Sequence, residues 1–315
     1  MTTADIQDAP SHWQERITGE WHGRPSIFDA QGNHRGYTKV YRSSVFEDGK
    51  TTYYMNTQFE ATGDLQSRLQ YGDFAFGVID SDQDRIYMGP DFYGTGRPFG
   101  ALVDAHYYSP GWKADLKTMV HILPGGDVQC YSSLLYNGPA IFAVFNGLYQ
   151  VAFDYHTNLD TQKQIEAYVQ QEIVNGPKQH TLPAKVSGCW TGDMIVYDGR
   201  QQEIGVNQVE IMHTPTSLLR ADQKVRISGI INREYQFARY RENNLHTYDG
   251  PDIYGNAFGY GRALYTSQHF HGAAERIKGR EFFIDNDGSM SVVWQFYKSD
   301  ALQYTTFGVL RWEES

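Results

Sequence analysis

The chain has 315 residues, more than most single domains, and each half is long enough to bury a core without metals or disulfides. Its formal charge of −10 argues against nucleic acid or an anionic membrane surface as a partner. The two cysteines, Cys130 and Cys189, fit no ligand spacing, so neither a disulfide framework nor a cysteine zinc site is expected.

The N-terminal stretch from Met1 to Asp8 is polar and lacks an apolar core of signal-peptide length. No run approaches the ~18 consecutive apolar residues of a membrane span. The expectation is a soluble, acidic, cytoplasmic protein. A short helix is predicted from Pro10 to about Ile17, with Trp13 and Ile17 on one side. Period-two alternation follows, broken by hairpin chemistry at Asp29–Asn33, Glu47–Gly49 and Pro124–Asp127. A longer helix is predicted over Thr161–Asn175, placing Ile165, Tyr168, Val169, Glu172 and Ile173 at helical spacing, with Asn175-Gly176-Pro177 as its stop. Pro177–Ala184 reads as a linker. Alternation then resumes, with turn signals at Asp198-Gly199 and Asp285–Gly288. Roughly eight strands per half suit an up-and-down barrel. The 23 Tyr, 17 Phe and 6 Trp fit pleated strands around an aromatic, partly polar interior, as ligand cavities often have.

An internal repeat organises the chain. Gly89-Pro90-Asp91-Phe92-Tyr93-Gly94 recurs in the second half as Gly250-Pro251-Asp252-Ile253-Tyr254-Gly255. Gly19-Glu20-Trp21-His22-Gly23 parallels Gly188-Cys189-Trp190-Thr191-Gly192 at a slightly larger offset, and Ile27-Phe28-Asp29 then matches Val196-Tyr197-Asp198. Several matches in one order make the chain a tandem duplication, with domains predicted at 1–177 and 178–315.

A Gly-x-Trp-x-Gly opening the first strand, an antiparallel meander and a trailing helix together resemble the calycin superfamily. The duplicated layout looks like a two-domain calycin family of cyanobacteria and plants. It is also similar to other tandem lipocalin-like proteins, including carotenoid hydratases and Diels–Alderase-type cyclases. The resemblance implies an all-β protein of two tandem antiparallel calycin-like β-barrels, with a short N-terminal helix and one inter-domain helix. It further implies a barrel mouth or inter-barrel cleft that holds a hydrophobic small molecule, and it transfers no catalytic residue.

Positions alike in both halves are expected to serve the scaffold: Trp21 with Trp190, Asp91 with Asp252, Tyr93 with Tyr254. The two tyrosines also have a ligand-binding reading, as general acids polarised by the neighbouring carboxylate. In the first half Leu102, Asp104, His106 and Tyr108 share one face of a strand, with His121 across the next hairpin. Asp104, His106, Tyr108 and His121 are the candidate acid–base residues; the other reading is a solvent-facing polar row. In the second half Tyr265, Ser267, His269 and His271 share a face. Two histidines at that spacing point together as metal ligands would, but no third ligand has a supporting motif, so no metal is expected. Tyr265, His269 and His271 are instead candidate ligand-binding residues, unless the histidines lie on the surface or bond to backbone. Arg239 and Arg241 also share a face and suit a carboxylate, unless they are exposed and paired to Glu234 and Glu242.

No phosphate-cradling loop, nucleophile elbow or dinucleotide-binding unit is present, and no cofactor is expected. Two functions follow. One is a cofactor-independent isomerase, cyclase, hydratase or lyase acting by acid–base chemistry on a terpenoid, polyene or polyketide-like substrate. The other is a carrier that binds a lipid or pigment without turnover.

Overall fold

The computed structural model of the protein describes residues 9–70, 72–151, 163, 166–180, 186–285 and 288–315. The predicted helix positions 161, 162, 164 and 165, linker positions 181–184 and turn positions 286–287 lie outside the described residues. The chain divides into two compact units, Met1–Asn175 and Gly176–Ser315.

Unit 1 begins with α1 (His12–Ile17), β1 (Gly19–Gly23), β2 (Ser26–Asp29), β3 (His34–Glu47), β4 (Lys50–Ala61) and α2 (Asp64–Arg68). It continues with β5 (Asp73–Asp80), β6 (Arg85–Met88), β7 (Tyr93–Phe99), β8 (Leu102–Ser109), β9 (Ala114–Ile122), β10 (Val128–Asn137) and β11 (Ala140–Val151). Successive strands from β2 onward pair antiparallel, and both β1 and β2 pair with β3 on one side and β11 on the other, which closes the sheet. β1 and β2 are therefore one barrel strand broken at Pro25, whose ring removes the ladder donor.

Unit 2 is a closed barrel without that break: β12 (Gly188–Asp198), β13 (Glu203–Ser217), β14 (Arg220–Gly229), β15 (Arg233–Glu242) and β16 (Leu245–Asp249). β17 (Ile253–Tyr260), β18 (Ala263–Phe270), β19 (Glu275–Phe283), β20 (Ser289–Lys298) and β21 (Ala301–Glu314) complete it, and β12 pairs with β21. Each barrel thus has ten strands among the described residues where the sequence pattern suggested about eight. The short strands β6 and β16 account for one of the extra strands in each barrel, because four or five residues carry too little alternation to stand out from the turns around them.

The repeated motifs perform the same local work twice. Oδ1 of Asp29 accepts from the backbone N–H of Gln31 at 3.0 Å and of Asn33 at 2.9 Å. Oδ1 of Asp198 accepts likewise from Arg200 at 2.8 Å and Gln202 at 2.9 Å. An Asp side chain that satisfies two turn donors fixes the first hairpin of each barrel. The last glycine of the hexapeptide allows close strand approach. A Cβ on Gly94 would overlap the carbonyl oxygen of His106, and one on Gly255 would overlap that of Ser267. Backbone cannot retreat as a side chain does, so Gly255→Ala is expected to cost roughly 1–3 kcal/mol, read as a lowered unfolding temperature with β17 locally displaced.

Helices close unit 1. The Ser11 hydroxyl caps α1 by accepting from the Gln14 N–H at 3.1 Å. Trp13 and Ile17 are buried with Tyr53, Tyr87 and Val103 at one end of the barrel. Trp21 is 1% exposed, and its indole N–H donates to the Ile17 carbonyl at 3.0 Å, pinning α1 over that end. At the other end α2 packs Leu65 against a cluster containing Trp112 and Phe145, joined by Leu69 just beyond the helix. Behind β11 the chain is helical over residues 166–169 and then widens into a π-helical turn, Gln170–Val174. Glu172 in that turn is buried and accepts from the Ser26 hydroxyl at 3.0 Å.

Candidate functional site

The two barrels are filled differently. In unit 2 aliphatic side chains such as Ile211, Val225 and Leu264 interleave with rings such as Trp190, Phe237 and Trp294 and fill the interior. In unit 1 rings line much of the interior and leave it hollow. Trp112 meets Phe59, Phe92 and Phe145 at centroid distances of 5.5, 5.6 and 6.0 Å, each with its plane turned by close to a right angle. Such edge-to-face packing suits the ring quadrupoles but leaves space between the rings. The result is a cavity of about 140 Å³ running between the α1 and α2 ends.

Two cations reach into this cavity, and they differ in how their charge is met. Arg85 and Asp80 are both 1% exposed and form a buried ion pair, to which the Ser11 hydroxyl also donates. Arg85 Nε donates to the Tyr87 oxygen at 3.2 Å and Nη2 to the Tyr53 oxygen at 2.9 Å. The Tyr53 hydroxyl in turn donates to Gln14 Oε1 at 2.7 Å. Burial works against the charge of Arg85, yet Tyr53, Tyr87 and Asp80 around it hold its pKa above the ordinary value. This network lies directly under α1 and is closed upon itself.

Arg42 is different. It is turned inward on β3 with Thr38 and Val40. Its guanidinium carbon lies 5.7, 5.9 and 6.0 Å from the ring centroids of Trp21, Tyr53 and Tyr149. One nitrogen, Nη2, donates to Gln129 Oε1 at 3.1 Å, while the buried Nε has no hydrogen-bond partner. Among the described residues no carboxylate lies within ion-pair distance of it, and no carboxylate or imidazole lines the cavity.

The candidate row of β8 faces the other way. Val103 and Tyr107 line the cavity, so Asp104, His106 and Tyr108 project outward. His106 pairs with Asp115 at 3.4 Å with both side chains exposed. Tyr108 packs on the exposed ring of Tyr93, with centroids 5.4 Å apart. His121 lies on the face of β9 opposite the cavity-lining Thr118 and Val120; it is buried there, and desolvation pushes its pKa down to about 4. The row therefore does not converge with His121 on the cavity.

In unit 2 Tyr254, His269 and His271 come together on the outer surface. Tyr254 stacks on His269 at 5.2 Å and lies 5.1 Å from His271. Tyr265 shares that outer face, under the guanidinium of Arg280 at 5.4 Å. Arg239 is buried inside the barrel, where Nε donates to His246 Nδ1 at 3.1 Å, and Arg241 two residues on is half-buried with its Nε on the Asn243 carbonyl. The exposed pairing with Glu234 expected as one reading belongs instead to Lys224 and Arg226.

Sequence reasoning missed Arg42, Tyr53, Asp80, Arg85, His180 and Glu281. Arg42 sits in Thr38-Lys-Val-Tyr-Arg42-Ser-Ser, where both faces are polar enough to hide which one is inside. A signal existed for the Asp80–Arg85 pair: the two are register partners across the β5–β6 hairpin, on the same face as Val78 and Tyr87.

No protein-family model matches the chain, and no curated protein matches it. Among solved structures, a protein of unknown function of the DUF3598 family from Nostoc punctiforme superposes with a TM-score of 0.59 at 9% identity, covering 98% of this chain and 100% of that one. Kievitone hydratase from Nectria haematococca aligns over 99% of this chain and 95% of its own at 8% identity, with a TM-score of 0.21 that bears no weight on the fold. Among the described residues no helix is long and apolar enough to cross a membrane. By fold the chain is an all-β tandem pair of closed antiparallel barrels, an architecture similar to that of the Nostoc protein over 98% of this chain.

Proposed function

We propose that unit 1 binds a compact, largely aromatic small molecule carrying a carboxylate or comparable anion, and acts as a binding protein. Arg42 carries this reading. Arg42 is half-buried, but its Nε is fully buried and has neither a hydrogen-bond partner nor a counter-ion. A ligand carboxylate there would satisfy both the orphaned donor and the charge. The surrounding rings supply the apolar contact that ligand pockets use. Apolar cavities of about 150 Å³ take up benzene, so the 140 Å³ here suits one ring with a short substituent better than an extended polyene.

The acid–base alternative finds less support. Isomerisation, cyclisation or hydration needs a proton donor or acceptor that titrates near the working pH. The titratable hydroxyls lining the cavity include Tyr53, Tyr107 and Tyr149, and burial pushes all three above the ordinary tyrosine value.

Trp13 and Trp112 line the cavity, so intrinsic fluorescence reports its occupancy. Benzoate is expected to bind more tightly than benzyl alcohol. Arg42→Met should weaken benzoate by about 10–100-fold, the worth of a charge-assisted hydrogen bond, and change benzyl alcohol by less than about two-fold. Equal benzoate affinity in Arg42→Met and the natural protein, or no binding of either probe at millimolar concentration, would rule the reading out.

A further inference from the structure

We infer that unit 2 contains a second site, a buried receptor for one small monovalent anion of halide size, built around Arg239 and His180 inside the barrel. The inference stands independently of the ligand proposed for unit 1.

The site is made by a segment that reads as linker. The His180 backbone N–H donates to the Gly261 carbonyl at 2.5 Å, and its ring stacks on Phe283 with centroids 4.4 Å apart and planes within 14°. The imidazole is thereby inserted into the barrel, 4% exposed, with no hydrogen-bond partner on either ring nitrogen. Its Nε2 stands 3.6 Å from Glu281 Oε2. Arg239, also 4% exposed, lines the same space; its Nη2 has no partner, and among the described residues no carboxylate lies within ion-pair distance of it. The void these groups share is about 20 Å³. That is room for one water or one halide and for nothing larger.

The duplication says what is missing. Arg85 in unit 1 sits beneath the N-terminal segment with Asp80 as its counter-ion and the Ser11 hydroxyl on the same carboxylate. At the offset that carries Gly89 onto Gly250, Asp80 and Arg85 correspond to Arg241 and His246, which are register partners just as Asp80 and Arg85 are. The cation of unit 2 has moved to Arg239, the counterpart of Val78 at that offset. His180 corresponds to Ser11 at the offset that carries Trp21 onto Trp190. Unit 1 carries its anion covalently, while unit 2 has the cation and the capping donor but no carboxylate on that cation. An anion from solution completes the arrangement, held by Arg239 Nη2 and a His180 ring N–H.

The titratable and charged groups around the void are His180 with Lys178 beside it, Tyr235 and Arg239 on β15, His246 and Tyr248 on β16, and Glu281 on β19; Arg241 acts on His246 from the rim. Burial first, then the neighbouring arginines, keeps His246 far below its ordinary value, and burial, Arg239 and His246 do the same to His180, so both stay neutral. Burial raises the carboxyl of Glu281 while Arg239 opposes the rise. An ionised Glu281 competes with the anion for Arg239, so affinity should increase as pH falls and Glu281 takes up its proton.

The test is the unfolding temperature of the full chain in sodium bromide against sodium gluconate at equal ionic strength, at pH 5.5 and pH 8. Bromide is expected to raise it saturably by roughly 3–6 °C at the lower pH and by less at the higher. Arg239→Met should fold, since it replaces an uncompensated buried cation with an apolar chain of similar length, and should lose the response. Glu281→Gln should keep the response and flatten its pH dependence. Crystals in bromide should give an anomalous peak beside Arg239. Identical unfolding temperatures in the two salts would mean a buried water only, and an undiminished response in Arg239→Met would place the anion elsewhere; either outcome ends the proposal.

Discussion

Asp80→Asn is expected to cost the protein about 3–5 kcal/mol of folding free energy, the largest single-residue effect outside the hydrophobic core. The variant keeps the shape of the side chain and removes the carboxylate charge that meets Arg85. That guanidinium is 1% exposed, and Tyr53, Tyr87 and Gln14 around it offer lone pairs but no charge. The pair itself adds little relative to apolar residues of equal volume, because both ions lose their water on folding. Asp80→Leu combined with Arg85→Met should therefore recover most of the loss. Urea unfolding followed through α1, whose Trp13 packs over this network, measures both variants. A loss under about 1 kcal/mol in Asp80→Asn would mean that water reaches Arg85.

Acid is expected to weaken the fold in a window set by its buried histidines. His121 titrates near 6.5 in the unfolded chain and near 4 in the fold, because burial disfavours the imidazolium. Its folded pKa is depressed, so between the two values the unfolded chain binds more protons. The stability it contributes is present above pH 6.5 and is lost as pH falls toward 4. The loss from this residue comes to about 2 kcal/mol at pH 5 and about 3 kcal/mol at pH 4. His246, held down to about 2, and His180 act in the same direction, whereas Glu281, with its raised pKa, contributes at low pH and loses that contribution as pH rises. Urea midpoints at pH 7 and pH 5 should differ accordingly, and His121→Gln, which cannot titrate, should remove about 2 kcal/mol of the difference. An unchanged slope in that variant would mean that His121 is hydrated in solution.

Several elements needed nothing beyond the order of residues along the chain. The duplication is visible because turn chemistry is local: Asp29 and Asp198 each accept from the backbone N–H groups two and four residues on, and Gly94 and Gly255 meet the equivalent carbonyls of His106 and Ser267. The short helix before Trp21 was also legible, since Ser11 and the spacing of Trp13 and Ile17 act within one or two turns. Such features depend on neighbours a few residues away, and the barrel class follows from repeating them.

Only the tertiary structure decided which way each strand faces and which charges meet. Period-two alternation divides β8 into an Asp104–His106–Tyr108 face and a Val103–Ala105–Tyr107 face, but both carry aromatic rings and either could form the wall of a cavity. The choice falls to closure of the barrel, which turns Val103 and Tyr107 toward the aromatic clusters and leaves His106 to water. Whether Arg239 and Arg241 lie on a solvent face was equally open, because the pattern records that they share a face and not what lies beyond it. His180 is the extreme case. Nothing close to it in the chain predicts burial, and its place is set by Phe283, Glu281 and Arg239, which all stand far along the second half. Burial and charge balance are sums over the whole barrel, so a sequence that states the scaffold twice still leaves its two interiors, one hollow and ring-lined, the other packed around Arg239, His180 and Glu281, to be settled by the fold.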